Sequence, residues 1–134
     1  MAIQGKTDAY EGLILNAEWG EISPITIGPL YVALSTGSVS DDAGTGWVEV
    51  AGNGYLRQVL SGALTTGSVA GTIKNDLAAI TFPVATPAGQ GTIKAVGLVD
   101  SGGVLKRAVN IADTPILVGQ QFILNINGLT IIED

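Results

Sequence analysis

The chain contains no cysteine and no histidine, and each absence removes chemistry. Without thiol or imidazole there is no cysteine nucleophile, no histidine general base, no Cys/His zinc site and no haem ligation by either residue. Disulfides are excluded too, so folding rests on a core. One domain of 134 residues can supply it, because a chain of about this length buries roughly two thirds of its unfolded surface. The lack of cysteine is neutral about compartment.

Charge is scarce as well. Only 13% of residues are charged, against about a quarter in an average soluble domain, while 46% are hydrophobic. Six basic residues face twelve acidic ones, a formal net charge of −6. Lys106-Arg107 is the only adjacent basic pair. The clustered cations that neutralise nucleic-acid phosphates are missing, so neither nucleic acid nor an anionic membrane surface is an expected partner. Long apolar runs are also missing. Ala95-Val96-Gly97-Leu98-Val99 falls far short of the roughly 18 residues of a membrane-spanning helix. No basic stretch followed by an apolar run opens the sequence, so no secretion signal is expected. What remains is a hydrophobic, charge-poor chain that hides apolar surface against partners.

The pattern changes after the first residues. Asp8 and Glu11 have the spacing of a capping box, and Tyr10, Leu13, Ile14 and Ala17 then form one apolar helical stripe. Gly20 stands where a left-handed residue ends many helices. The spacing predicts a helix over 8–19 within an N-terminal arm, 1–27, that precedes a β-domain, 28–134. Short strands are expected at 30–35, 47–50, 55–60, 78–82, 92–100, 104–111, 122–126 and 129–132. Turn residues separate them, among them Asn53-Gly54, Ser101-Gly102-Gly103 and Asn127-Gly128. Asn53-Gly54 predicts a hairpin between 47–50 and 55–60. Closely spaced strands with no further helical pattern predict a mainly β fold, an antiparallel sandwich or jelly-roll-like domain. The polar stretch from Ser35 to Gly46 reads as an exposed loop.

The remaining chemistry is thin. The carboxylates sit beside turns and termini, as Asp100, Asp113 and Glu133-Asp134 do, which fits solvated turn residues better than a converging acid/base pair. Asp41-Asp42 lacks the alternating oxygen ligands and closing Glu of a calcium loop. Gly44-Thr45-Gly46 and Gly89-Gln90-Gly91 lack the Lys-Ser/Thr of a phosphate loop. No catalytic residue, cofactor or metal site is expected. Among the few aromatics, Trp47 follows the polar loop and is the best candidate for an exposed ring, although core or interface outweighs ligand contact for it. Arg57, in an apolar strand, reads as a strand-surface residue with its stem on apolar neighbours. The sharper alternative for Arg57 is an ion pair between subunits with a carboxylate such as Glu49.

Several segments, taken in order, carry a resemblance. Leu30-Tyr31-Val32-Ala33-Leu34-Ser35-Thr36 is followed by Glu49-Val50 and Gly54-Tyr55-Leu56-Arg57. Asn75, Ile80-Thr81-Phe82-Pro83, Val96-Gly97-Leu98-Val99-Asp100, Gly103-Val104-Leu105 and Leu129-Thr130-Ile131 continue the order. Over 28–134 the chain resembles the small tail-fibre-like and head-decoration proteins of tailed bacteriophages. It departs from them at Ser35, Gln90 and Val99, where His, Trp and an aromatic are common. The resemblance implies a virion structural protein, made in the host cytoplasm, and does not say which part of the virion. The capsid surface is expected before the tail because a small, charge-poor, apolar subunit suits binding to a shell. Apolarity beyond what a monomer surface normally tolerates predicts a homo-oligomer, and the resemblance favours a trimer over a dimer, with coat or tail proteins as partners. The alternative is a tail-associated adhesin contacting a host-surface glycan. The candidate interface is Tyr10, Leu13, Ile14, Ala17, Trp47 and Arg57.

Overall fold

The computed structural model describes residues 2–3, 29–40, 44–60, 72–75 and 78–132. The helix expected over 8–19, with Tyr10, Leu13, Ile14 and Ala17, lies outside them, and the described residues contain no helix. The fold is mainly antiparallel β. The described residues form nine strands: β1 (Ala2–Ile3), β2 (Tyr31–Ser35), β3 (Gln58–Val59), β4 (Thr72–Lys74), β5 (Ile80–Thr81), β6 (Gly91–Val99), β7 (Leu105–Ile116), β8 (Ile123–Leu124) and β9 (Thr130–Ile132). They form a four-stranded sheet in the order β3-β2-β6-β7, a three-stranded sheet β1-β9-β4 and a two-stranded sheet β5-β8. Ala2–Ile3 pairs parallel with β9, so the start of the expected arm belongs to a sheet.

Side-chain alternation along β2 and β6 divides the large sheet into two unlike faces. On one face Val32 stands opposite Leu98 and Leu34 opposite Val96, all fully buried. These join Ile80 and Leu124 of the small sheet, and Phe82 and Phe122 beside it, in one core cluster, giving a sandwich-like packing. Phe82 is its centre, stacked on Tyr55 at 6.1 Å and edge-on to Phe122 at 5.9 Å. Rings at these separations attract beyond their buried area.

The other face carries small residues, with Ala33 opposite Gly97 and Ser35 opposite Ala95. They are buried because the polar loop folds back over them. The Val39 N–H donates to Asn110 Oδ1, and Asn110 Nδ2 donates to the Val39 carbonyl, both at 2.8 Å. Trp47 lies on Gly97, where a Cβ would come within 2.8 Å of its ring and 2.7 Å of Leu105 Cδ1. The described parts of the loop read as exposed therefore include buried Ser35 and Val39, and Trp47, just after it, is half-buried. Small residues below and a large ring above are what let a polar sequence pack.

A further departure concerns a strand. β7 continues to Ile116, five residues past its expected end, because the ladder resumes after an irregularity between Asn110 and Thr114. The irregularity absorbs Asp113 and brings Pro115, which donates no amide proton, opposite Thr92. Asn75 shows how a buried amide is accommodated. Its Nδ2 donates to the Ala78 and Asn125 carbonyls, and its Oδ1 accepts from Leu129 N–H at 2.8 Å. All its polar valences that matter inside a core are satisfied.

Candidate functional site

The hairpin expected around Asn53-Gly54 is not formed. Segments 48–50 and 58–60 instead lie end to end along the same edge of β2. Val50 N–H donates to the Leu34 carbonyl and Leu60 N–H to the Leu30 carbonyl, both at 3.0 Å, and Ser35 bridges Glu49. Between these segments the chain leaves the sheet as an excursion, 51–57. The reason is at its tip, where Gly52, Asn53 and Gly54 all adopt positive φ, at 75°, 52° and 79°. Three left-handed residues in a row carry the chain off the sheet instead of turning one strand onto the next.

The tip is fastened to the turn over 86–90. Thr86 N–H and Gln90 Nε2 both donate to the Asn53 carbonyl, and Asn53 Nδ2 donates to the Gly89 carbonyl at 2.9 Å. The neck is fastened by side chains. Arg57 Nε donates to Glu49 Oε1 at 2.6 Å and Arg57 Nη2 to Glu49 Oε2 at 2.8 Å. This bidentate geometry is the strongest form of a carboxylate–guanidinium contact. The guanidinium lies against Gly103, where a Cβ would stand 2.6 Å from Nη2. Tyr55 completes the neck. Its hydroxyl accepts from Leu34 N–H at 3.0 Å and donates to Glu49 Oε1 at 3.1 Å.

The electrostatics follow from this packing. Burial raises the Tyr55 hydroxyl well above its ordinary pKa, and the nearby Glu49 carboxylate reinforces the shift. The hydrogen bond to Glu49 raises Arg57 further above an already high value, so its charge is permanent. At the rim, Asp100 is held below the usual carboxylate range. Its Oδ1 accepts Val104 N–H and Gly102 N–H at 2.9 Å, and Lys106 stands 3.5 Å away. Asp100 is thus a turn-forming carboxylate, as its place beside Ser-Gly-Gly predicts.

Together these elements border an open cleft of about 610 Å³ lined by Tyr31, Glu49, Val50, Ala51, Tyr55, Leu56, Arg57 and Ser101. The structure brings Arg57 and Glu49 together within one chain. Trp47 is not in the cleft. Tyr31 and Tyr55 are among the few aromatic candidates of the sequence, with Tyr31 read there as core or interface, whereas Ser101 reads there only as a turn residue. The three family departures lie inside: Ser35, Gln90 and Val99 are all buried. The Ser35 hydroxyl accepts from Gly37 N–H and Val48 N–H, closing the neck of the polar loop.

A family model described as Podophage GP4 fiber I protein gp80 matches residues 5–132. The chain belongs to this family. It is therefore a bacteriophage fibre structural protein, associated with the virion. The matched span takes in β2 to β9 and every residue of the cleft. No curated protein matches the chain. Among the described residues no group of acidic side chains is placed to hold a metal ion.

Proposed function

We propose that this fibre-family subunit acts by assembly and not by catalysis, forming a homo-oligomer that decorates the capsid surface and strengthens the shell. One observation supports the reading most directly: large apolar side chains stay in water. Leu56, Leu117 and Val118 are 65%, 60% and 61% exposed, and Val48 and Ile126 are each 55% exposed. Burial against copies of the chain or coat subunits yields about 25 cal/mol per Å² of apolar area. Repeated over a shell, small contacts add up, and a protein that binds only the assembled lattice stabilises it by mass action. The trimer is the favoured state on the family resemblance.

Light scattering at micromolar concentration should give a mass several times the 13.6 kDa of one chain. A single species of that mass would overturn the assembly reading. Electron microscopy of purified particles should place density at symmetric capsid sites. Density confined to the tail would replace decoration with a tail fibre.

A further inference from the structure

We propose that the open edge of β8 pairs with the same strand of a second copy, antiparallel about a two-fold axis at Phe122. This contact rests on the assembly reading and goes further, naming the strand, its partner and the register. The ladder between β5 and β8 runs on past their ends. Phe82 N–H donates to the Phe122 carbonyl at 3.0 Å and Ala85 N–H to the Gln120 carbonyl at 2.8 Å. In an antiparallel pair the backbone groups of alternate residues point to opposite sides. Those of Gln120, Phe122 and Leu124 therefore face β5, and those of Gln121 and Ile123 face away. Among the described residues the N–H and C=O groups of Gln121 and Ile123 have no hydrogen-bond partner.

An edge of this kind is a template for another strand, and proteins guard it with charge or proline. β5 has Pro83 just beyond its end, but β8 has no such guard. From Ile116 to Ile132 there is neither a proline nor a charged residue, in a chain whose net charge is −6. Like-charged copies repel, so a copy approaches at least cost where the surface is neutral. Ile123, on the edge itself, is apolar and 44% exposed.

The register follows from the groups left free. The Asn125 carbonyl already accepts from Asn75 Nδ2 at 2.9 Å and from Gly128 N–H at 2.7 Å. An axis at Ile123 would set Asn125 opposite Gln121 of the partner subunit and call on that carbonyl a third time. An axis at Phe122 sets Gln121 opposite Ile123 of the partner subunit, and the two exchange both backbone bonds. The same register brings the exposed Leu117-Val118 turn toward exposed Ile126 of the partner subunit. A two-fold contact is self-complementary and joins subunits, or trimers, in pairs.

The chain has no cysteine, so a single engineered thiol is unambiguous. Full-length Gln121→Cys and isotope-labelled Ile123→Cys are mixed, oxidised and read by mass spectrometry. Opposed residues of a hydrogen-bonded pair stand about 5.5 Å apart at Cα, within disulfide reach. The mixed disulfide should form several-fold faster than either homodisulfide, and faster than that of Val104→Cys, a control that is 52% exposed. Independently, Ile123→Lys should halve the mass seen by light scattering and leave the circular dichroism spectrum unchanged, because it sets two cations beside the axis. A mixed disulfide no faster than the control, or an oligomer whose mass survives Ile123→Lys, overturns this contact alone. A monomeric wild type overturns the assembly reading with it. Crosslinking to a coat subunit on purified virions, through a benzophenone attached to Ile123→Cys, would give the edge to the coat and overturn the contact too.

Discussion

The hydroxyl of Tyr55 accepts the amide proton of Leu34, which would otherwise need a neighbouring strand as partner. It fills the gap that opens along β2 where the chain departs at Val50 and returns at Gln58. One oxygen thus does locally what a continuous strand would do with its backbone. The same hydroxyl donates to Glu49, whose carboxylate grips Arg57 on the far side of the gap.

Tyr55→Phe should therefore destabilise the fold by about 1–3 kcal/mol, because it orphans the Leu34 N–H inside the sheet. The pH dependence provides a second reading. The Tyr55 hydroxyl has a raised pKa in the folded state, so above the ordinary tyrosine value near 10 the folded chain holds a proton that the unfolded chain loses. Its contribution is complete below that pH and declines as pH rises above it. Urea denaturation between pH 8 and 11 should show a steeper alkaline loss in wild type than in Tyr55→Phe. Parallel curves would contradict the burial of the hydroxyl.

The Glu49–Arg57 pair is an intrachain contact, and this changes what its removal does. Arg57→Ala should lower stability by about 1–2 kcal/mol, a figure held down because the two side chains remain 33% and 20% exposed. Oligomer mass should not change. A double-mutant cycle with Glu49→Gln should return a coupling of about 1 kcal/mol. A change in mass with no change in monomer stability would mean that the pair joins subunits after all.

Gly97 and Trp47 make a test of the covered second face. Gly97→Ala should cost about 1–3 kcal/mol, since its Cβ would meet Leu105 and the Trp47 ring at 2.7 and 2.8 Å. In a Trp47→Ala background the same change should cost less, because half of the obstruction is gone. Simple additivity would show that the ring does not rest on Gly97.

Gly52 and Gly54 separate backbone strain from collision. Both have positive φ, at 75° and 79°, but a Cβ at Gly52 meets nothing within 4 Å, while at Gly54 it meets the Val84 carbonyl at 3.1 Å. Gly52→Ala should cost about 1 kcal/mol, the left-handed penalty alone. Gly54→Val should cost clearly more, from both the contact and its β-branch. Equal losses in thermal denaturation would place the tip away from Val84.

The sequence by itself determined the class of this protein. The apolar alternation at 31–35 and the continuous run at 95–99 mark strands that any fold must bury on one face or on both. Missing His and Cys removed most catalytic chemistry, and the order of segments from Leu30 to Ile131 resembles that of phage structural proteins. Only the tertiary structure decided where the cleft lies and what closes it. Glu49 and Arg57 are eight positions apart, and a hairpin through Asn53-Gly54 was the local expectation. Segments 48–50 and 58–60 became neighbours along one edge of β2 because the tip bonds to Thr86, Gly89 and Gln90, which are remote in sequence. Trp47 is covered for a related reason. Its burial depends on a small residue, Gly97, fifty positions later, and local pattern records a side chain's own polarity but not the space awaiting it.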